Sequence, residues 1–239
     1  MNALEITGAA KHYKDFSLEG VSFTLPEGCI LGLIGENGAG KTTLIKMILG
    51  MLEGEGQFRV LGRDIRQHGA EIRQEVGVVL DEACFPACMS AAQLNGVMRD
   101  LYTHWKEDVF FRLVKQLSLP ERKPFKDFSR GMKMKLAIAA ALSHEAKLLV
   151  LDEPTAALDP IAESKLYQKY SELTKGKSSV YISHRLVSTR FCDRIIMLGN
   201  CGIIEKGTHA QLLNNNGEYA KLYGIQSNYY KEGENDDEE

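Results

Sequence analysis

The sequence predicts an α/β fold in which helices cover a mainly parallel sheet. Apolar runs that fit buried strands alternate along the 239 residues with amphipathic stretches that fit helices. A glycine-rich segment, residues 35–43, joins one such run to a helical stretch. Between the apolar runs at residues 76–80 and 148–151 the pattern is helical. These observations predict a mainly parallel core, a small antiparallel β subdomain before it, and an inserted α-helical subdomain.

The antiparallel subdomain is predicted from the N-terminal residues. Residues 4–10 and 18–25 show the partial alternation of apolar and polar side chains that is typical of strands with one buried face. Residues 26–28, Pro-Glu-Gly, form a turn into the apolar run at residues 29–34. We expect a further strand at residues 57–61, after the first long helix.

The helical subdomain is predicted at about residues 84–140. Leu94, Val97, Leu101 and Trp105 recur at helical spacing and are predicted to share one face. The remaining predicted elements are short helices at residues 70–75, 186–192, 208–213 and 219–223, longer helices at 132–142 and 161–174, a strand at 179–182, and paired strands at 194–198 and 202–205. We predict one domain, residues 1–230, and a disordered acidic tail, residues 231–239.

Composition narrows the classes of protein to which the chain can belong. The hydrophobic content of 44% and charged content of 26% are those of a globular protein. The formal net charge of −3 predicts no nucleic-acid partner. We find no run long enough to span a membrane and no signal-peptide pattern at the N-terminus, so we expect a cytoplasmic protein.

The five cysteines are expected to be structural thiols. They stand at scattered positions and are odd in number. Cys84 and Cys88 could lie near each other, but no second cysteine or histidine pair completes a zinc site. We therefore prefer free thiols to a metal site.

The segment Gly35-Glu36-Asn37-Gly38-Ala39-Gly40-Lys41-Thr42-Thr43 fits the phosphate-binding P-loop. It lies between a predicted buried strand and a helix, which is the context that the motif requires. Glycines allow successive backbone N–H groups to turn towards an anion, and the helix N-terminus adds its positive dipole. Lys41 can reach the β- and γ-phosphates, and the Thr42 hydroxyl can ligate Mg²⁺. The alternative is a chance glycine-rich turn.

Acidic residues follow the apolar strand at residues 148–151. Asp152 stands where a P-loop protein places the aspartate that helps to hold Mg²⁺. Glu153 comes next and can accept a proton from the water that attacks the γ-phosphate. The alternative is a pair of loop carboxylates without a catalytic role. With these residues the predicted core becomes a P-loop core of the RecA-like kind.

His184 follows the predicted strand at residues 179–182. A histidine at a strand end is often a structural hydrogen-bonding group. Here, however, His184 comes after a P-loop and after the Asp-Glu pair along the chain. In a protein with this order of motifs, a histidine at a strand end can point at the γ-phosphate and help to arrange the attacking water. We list it with Glu153 and Lys41 as a candidate catalytic residue.

Taken together, these motifs resemble the nucleotide-binding domain of ABC transporters over nearly the whole chain. The resemblance rests on Gly35 to Thr43, Phe128-Ser129-Arg130-Gly131-Met132, Leu148 to Thr155, Ala157-Leu158-Asp159 and Ser183-His184, in this order. It implies that ATP and Mg²⁺ bind and that two such domains sandwich two ATP molecules. It also implies docking beneath separate transmembrane permease subunits, so that the protein is peripheral on the inner face of the membrane. The second domain would be another copy or a paralogue.

The resemblance assigns roles to further residues. Tyr13 matches the aromatic residue that stacks on adenine; the alternative is a surface tyrosine of an edge strand. Ser129 and Gly131 match the signature motif, which in the family contacts the γ-phosphate held by the other domain. Asp159 matches a loop at the dimer interface.

Two departures from the family pattern stand out. The family signature is usually Leu-Ser-Gly-Gly-Gln, and here Phe128, Arg130 and Met132 replace three of its residues. The Ser-x-Gly that remains resembles the branch that serves separate permeases for export of antibiotics, peptides or lipids. Asp81 stands where the family has the glutamine that reaches Mg²⁺. Asp81 either joins the metal site, or approaches it only when the permease moves the loop, or caps the loop and faces solvent.

The leading hypothesis is therefore the ATP-hydrolysing subunit of an export-type ABC transporter. A second hypothesis is a soluble ABC ATPase that acts on nucleic acid, ribosomes or cluster assembly. Such proteins usually carry two cassettes, long coiled coils or a basic surface, and this sequence shows none of these. A third is a small P-loop kinase, against which the signature motif and Asp159 argue.

Overall fold

Two sheets form the framework of the structure. The computed structural model describes residues 1–80, 85–152, 176–183 and 186–235. Its strands are β1 (Asn2–His12), β2 (Ser17–Pro26), β3 (Ile30–Gly35), β4 (Glu55–Val60), β5 (Arg63–Asp64), β6 (Val76–Val79), β7 (Leu148–Asp152), β8 (Ser178–Ile182), β9 (Arg194–Gly199) and β10 (Gly202–Gly207).

The antiparallel sheet has the strand order β2-β1-β4-β5. Ile6 of β1 lies opposite Phe23 of β2 on one side and Phe58 of β4 on the other. These three side chains are almost fully buried and join the main hydrophobic core. The alternation at residues 4–10 and 18–25 thus reflects one buried face, and the predicted antiparallel subdomain is confirmed.

The second sheet has the order β10-β9-β3-β8-β7-β6. All its neighbouring strands are parallel except the hairpin β9–β10. Every residue of β7 and β8 is buried, which explains their continuous apolar character. The mainly parallel core is therefore confirmed. Because β3, β7 and β8 run in the same direction, their carboxyl ends meet at one edge.

Helices cover this sheet, as expected for an α/β fold. They are α1 (Lys41–Ile48), α2 (Ile65–Gln74), α3 (Ala91–Leu101), α4 (Glu107–Gln116), α5 (Arg130–Leu142), α6 (His209–Asn214) and α7 (Glu218–Asn235), with 3-10 turns at Phe125–Asp127 and Leu186–Phe191. In the ranges that the structure describes, no helix is both long enough and apolar enough to cross a membrane. The helix predicted at residues 161–174 lies outside the described residues.

Helix α2 begins earlier than predicted. The sequence places its start at Ala70, whereas it starts at Ile65. The Asp64 side chain accepts a hydrogen bond of 2.8 Å from the Arg66 N–H, which caps the new N-terminus. A kink at His68 separates this first turn from the predicted part, so apolar periodicity alone finds only the second half.

Helices α3, α4 and α5 form the inserted subdomain around a separate hydrophobic cluster. The prediction that one helical face continues to Trp105 is wrong. Helix α3 ends at Leu101, which is 61% exposed. The chain then turns back, and the Trp105 indole N–H donates to Asn95 Oδ1 at 2.8 Å. A hydrogen bond to the preceding helix thus places this indole, rather than helical periodicity.

The C-terminal part closes the fold with the β9–β10 hairpin, α6 and α7. Asn200 and Cys201 make its turn with positive φ angles of 47° and 67°, and the two strands pair as predicted. Helix α7 runs to Asn235, five residues into the stretch predicted to be a disordered tail, so this part of the tail is helical in the structure. The division into one domain and a tail stays a prediction.

Four of the five cysteines lie in the described residues: Cys29, Cys88, Cys192 and Cys201. All four are free thiols, and Cys192 is buried beneath Gly32, whose Cβ, if present, would lie 3.1 Å from the sulfur. Cys84 lies outside the described residues. Within the described ranges, no group of three or more His, Cys, Asp or Glu side chains converges on a common point.

A buried histidine links the helical subdomain to the parallel sheet. The His144 ring lies between the carbonyl oxygens of Ala140 and Val76, each 3.3 Å from a ring nitrogen. The ring of Tyr102 stacks on it at 4.1 Å. Burial lowers the pKa of His144, the two carbonyls oppose this shift, and Lys177 adds to it.

This geometry predicts a loss of stability in acid. The unfolded chain binds a proton at the ordinary histidine pKa of about 6.5, whereas folded His144 binds it only at lower pH. Stability is therefore complete above the unfolded pKa and falls as pH drops from there to the folded pKa. Between about pH 7.5 and pH 5.5 we expect the melting temperature of wild type to fall more than that of His144→Gln. The difference between the two falls should be roughly 2–4 °C for each kcal/mol of pH-dependent stability that the substitution removes.

The matched control for this measurement is His104→Gln, because His104 is exposed. Its melting temperature should follow the wild-type pH profile. Equal pH dependence in wild type and His144→Gln would show that His144 does not contribute to the acid sensitivity. The comparison uses the difference between two pH values for each variant, so a uniform loss of stability in His144→Gln does not affect it.

Candidate functional site

The loop between β3 and α1 is shaped by glycines in positive-φ conformations. Gly35, Gly38 and Gly40 have φ angles of 149°, 83° and 96°. A Cβ at Gly35 would collide with the carbonyl oxygen of Leu198, and one at Gly40 would lie 2.8 Å from Phe16 Cζ. Only glycine fits both the conformation and the space at these two positions. The loop backbone therefore packs closely against β9 on one side and the β1–β2 turn on the other.

Lys41 is the cation at the centre of this loop. Its side chain is buried, with 6% exposure. Its Nζ donates to the carbonyl oxygens of Gly35, at 2.8 Å, and Glu36, at 2.9 Å. The ammonium group thus lies inside the curve of the loop, where it could meet a phosphate group with little movement. A buried lysine held in this way suits a chelating role for an anion.

The first turn of α1 adds further groups that favour an anion. Gly40 occupies the N-cap position and has no side chain to cap the helix, and no acidic residue lies in the first turn. The positive end of the helix dipole is therefore directed at the loop. Thr42 is exposed and Thr43 half-buried on this turn. The candidate phosphate-binding residues Gly35, Asn37, Gly38, Ala39, Gly40, Lys41, Thr42 and Thr43 thus form one continuous structure.

Asp152 and Ser183 lie at the edge of the parallel sheet to which this loop belongs. Strand β8 lies between β3 and β7, with Ile182 opposite Leu33 on one side and Asp152 on the other. Asp152 is 7% exposed and Ser183 4% exposed. The register therefore brings the ends of β7 and β8 to the level at which β3 enters the phosphate-binding loop.

The donor set at this edge fits Mg²⁺ bound with a nucleotide triphosphate. Mg²⁺ prefers oxygen ligands and usually takes one or two protein groups together with phosphate oxygens. The Thr42 hydroxyl and the Asp152 carboxylate are oxygen donors of the required kinds. The buried Lys41 ammonium offsets the negative charge of a triphosphate. These residues could therefore hold the metal and its nucleotide.

Tyr13 lies in the turn between β1 and β2, where its side chain is 46% exposed. Its ring lies 6.2 Å from that of Phe16, and Lys11 Nζ lies 5.8 Å from its centroid. Phe16 in turn borders Gly40. The Tyr13 ring is thus linked to the phosphate-binding loop through one intervening side chain, a position compatible with stacking on a base. Sequence reasoning missed Phe16, whose only local signal is an aromatic residue in a polar turn.

Ser129 and Gly131 lie at the start of α5, in another part of the fold. The Ser129 hydroxyl accepts a hydrogen bond from the Met132 N–H at 3.2 Å and caps the helix. Phe128, just before it, is buried with Phe125 in the helical subdomain cluster. Ser129 and Arg130 are exposed. The structure therefore presents these candidate residues at the surface of the helical subdomain, whereas the phosphate-binding loop belongs to the main core.

Three candidate site residues lie outside the described residues: Asp81, Glu153 and His184. Glu153 follows Asp152 directly, and His184 follows Ser183 directly. Their roles stay predictions from the sequence. Asp159 of the dimer-interface motif also lies outside the described residues.

Comparisons with known proteins identify the family. The family model described as ABC transporter matches residues 18–156. The chain is 32% identical over 231 residues to an ATP-dependent lipid A-core flippase of Polaromonas sp., covering 87% of this chain and 37% of that protein. It is 34% identical over 203 residues to the linearmycin resistance ATP-binding protein LnrL of Bacillus subtilis, covering 82% and 65%. The chain spans about a third of the length of the first curated relatives.

A solved structure shows the same architecture. It is described as the structure of an ATP binding subunit of an ABC transporter, and it superposes with a TM-score of 0.82 at 26% identity. The alignment covers 94% of this chain and 99% of that one. The family model covers more than half of the residues of this chain. The chain therefore belongs to the ABC transporter family and has the fold of that family's ATP-binding subunits.

Proposed function

We propose that this chain is the ATP-binding and ATP-hydrolysing subunit of an export-type ABC transporter and powers a separate transmembrane permease. The observation that carries the proposal is the buried Lys41 ammonium, held by the carbonyls of Gly35 and Glu36 at a helix N-terminus. The Asp152 carboxylate at the neighbouring sheet edge supports it. A buried cation, an uncapped helix N-terminus and a nearby carboxylate together suit a nucleotide triphosphate with Mg²⁺.

Each residue has a distinct proposed role in hydrolysis. Lys41 binds the β- and γ-phosphates, and Thr42 and Asp152 hold Mg²⁺, with Asp81 as a further candidate ligand. When bound, Mg²⁺ would neutralise charge that develops on the phosphate oxygens. Glu153 accepts the proton of the attacking water. His184 orients that water and the γ-phosphate.

We propose that the active form contains two nucleotide-binding domains, either two copies or a copy and a paralogue. Ser129 and Arg130 are exposed at the N-terminus of α5, where they can meet a triphosphate bound to a second domain. Arg130 would add a cation that pairs well with phosphate oxygens. Tyr13, beside the phosphate-binding loop, would stack on the adenine.

An apolar groove supports the proposed contact with a permease. A cavity of about 270 Å³ opens between α1, α2, β6 and α5. Its lining includes Met51, Ile72, Val78, Phe85 and Ala137. Met51 is 60% exposed, so the groove presents apolar surface to a partner, as docking sites for short helices do. Leu80 and Phe85, the described residues on either side of positions 81–84, both line it.

The export direction and the membrane partner are supported by the relatives. The flippase and the linearmycin resistance protein are both named for export-type tasks, and neither name fits a soluble ABC ATPase. We therefore propose a peripheral position on the cytoplasmic face of the membrane and an antibiotic-, peptide- or lipid-type cargo. The formal net charge of −3 gives no support to a nucleic-acid partner.

Co-purification tests this proposal. We expect an affinity-tagged chain expressed in its native host to bring down a multi-span membrane protein from detergent-solubilised membranes. The complex should hydrolyse Mg-ATP, and a transport substrate should change the rate. The soluble alternative would be favoured by a different result. In that case the chain would be recovered without a membrane protein, bound to ribosomes or to a soluble partner, and with full ATPase activity.

A further inference from the structure

We propose that helix α7 positions the segment at the end of β8, with Gln226 as its main positioning residue. This inference rests on the proposed function, because that segment carries His184. Leu186 stands two residues after His184, and α7 and its contacts hold its backbone N–H, its backbone carbonyl and its side chain. Helix α7 would thereby influence hydrolysis through the segment that carries His184.

Leu186 is fixed by hydrogen bonds on both sides of its backbone. Its N–H donates to Gln226 Oε1 at 2.7 Å, and its carbonyl accepts from Thr189 Oγ1 at 2.7 Å. Its side chain is 4% exposed and lies in a cluster with Ile34, Leu212 and Tyr219. Ile34 belongs to β3 and directly precedes Gly35. One cluster therefore joins α7, Leu186 and the strand that leads into the phosphate-binding loop.

A chain of hydrogen bonds connects this carbonyl to α7 and α6. Thr189 has one hydroxyl hydrogen and donates it to Leu186, so it must accept from Tyr219 Oη, which lies 2.9 Å away. Tyr219 then accepts from His209 Nδ1 at 2.7 Å, which assigns the proton to Nδ1. Burial raises the pKa of Tyr219, so the phenol keeps the proton that it donates.

Helix α7 presents one face to these partners and is anchored at its start. Tyr219, Leu222, Tyr223 and Gln226 follow the i, i+3, i+4, i+7 spacing of a single helical face. The Glu205 carboxylate on β10 accepts from the N–H groups of Glu218 and Tyr219, at 2.9 and 3.1 Å. These two bonds satisfy free N–H groups at the helix N-terminus. The start of the helix that carries Gln226 is therefore anchored to β10 by two bonds that do not involve the β8 segment.

The same face of α7 also borders the phosphate-binding loop. A cavity of about 270 Å³ is lined by Gly35, Glu36 and Asn37 of the loop, by Leu222 and Gln226 of α7, and by Ser183, Leu186 and Met197. Ser183 and Leu186 are the described residues on either side of positions 184 and 185. Gln226 thus stands where it can set the distance between the β8 segment and the loop. Small displacements at such a site have large effects on rate.

The test compares Gln226→Met with Gln226→Glu. Methionine keeps the length of the side chain but removes the acceptor, whereas glutamate keeps an acceptor oxygen. We expect Gln226→Met to lower kcat for ATP by about tenfold while KM changes by less than about twofold, since Lys41 and the glycine loop still bind the phosphates. Gln226→Glu should recover most of the rate. The control is Ile225→Met, because Ile225 is 56% exposed.

A second measurement does not depend on activity. Amide hydrogen exchange at Leu186 in the full chain should be at least about tenfold faster in Gln226→Met than in wild type or Ile225→Met, because the N–H loses its acceptor. If Gln226→Met fails to fold, Tyr219→Phe breaks the hydrogen-bond chain with the ring retained, and should lower kcat in the same way.

The outcomes separate this inference from the proposed function. Unchanged exchange at Leu186 together with unchanged kcat in Gln226→Met would overturn the positioning role and leave ATP hydrolysis intact. An equal loss of rate in Gln226→Met and Gln226→Glu, with a matching fall in melting temperature, would make Gln226 a structural residue. Absence of ATPase activity in wild type would instead overturn the proposed function, while the exchange result would still report on the contact with Leu186.

Discussion

The substitution Lys41→Ala is expected to abolish Mg-ATP hydrolysis and leave the fold intact. Lys41 is the buried cation of the phosphate-binding loop, and its Nζ lies within hydrogen-bonding distance of the Gly35 and Glu36 carbonyl oxygens. Removal of a charged donor that stabilises the transferred phosphoryl group costs on the order of 100- to 1,000-fold in rate. Affinity for ATP should fall as well, since the same ammonium group offsets the charge of the ground-state triphosphate.

The fold should tolerate this change because the loop keeps its other determinants. Gly35 and Gly40 set the backbone path, and Leu44 and Ile45 still anchor α1 in the core. Lys46→Ala is the matched control: Lys46 lies on the same helix, in its last turn, and is exposed. Initial ATPase rates, ATP binding by calorimetry and circular dichroism of the two variants give the comparison. Normal turnover and unchanged affinity in Lys41→Ala would remove the phosphate-clamp assignment.

Local sequence signals predicted the parts of the site that are contiguous in the chain. The loop between β3 and α1 could be located because a buried strand, the glycines and a helix follow one another within residues 29–49, and its binding of phosphate stays a prediction. Asp152 could be placed at a strand end because β7 is buried on both faces and reads as an uninterrupted apolar run. In both cases the residues that identify the feature lie within a few positions of one another, so a local sequence pattern is enough to find it.

The contacts that sequence reasoning missed join residues of different elements, with separations along the chain from 10 positions to 40 positions. Phe16 borders Gly40 across the two sheets, and Gln226 bonds Leu186 from 40 residues away. Trp105 folds back onto Asn95 instead of continuing a helical stripe. No local pattern encodes such partners, because they depend on how whole elements pack. The same reason explains why Tyr219 was assigned only to a short closing helix at residues 219–223, and why Gln226 was assigned to no element.

The substitution Glu153→Gln is expected to slow hydrolysis by at least about 100-fold, the lower limit for loss of a general base. Glu153 follows Asp152, which ends β7 with its backbone paired to Ile182 of β8. Asp152 therefore ends β7 at the edge of the sheet where the phosphate-binding loop begins, and Glu153 is the next residue in the sequence. Glutamine has nearly the same shape as glutamate but cannot accept the proton of the attacking water. ATP should still bind, because Lys41 and the glycine loop are unchanged.

The same substitution should trap an ATP-bound dimer. In the proposed cycle two domains close on ATP and separate after hydrolysis, so a variant that binds but does not hydrolyse accumulates in the closed form. Size-exclusion chromatography in ATP and in ADP measures this, with Glu121→Gln as the control for loss of an exposed carboxylate. We expect the ATP-dependent shift to dimer in Glu153→Gln alone. A variant that stays monomeric in ATP and turns over normally would refute both the role of Glu153 as general base and the ATP sandwich. A variant that stays monomeric but turns over slowly would support the role of Glu153 and would indicate that the two domains need the permease to associate.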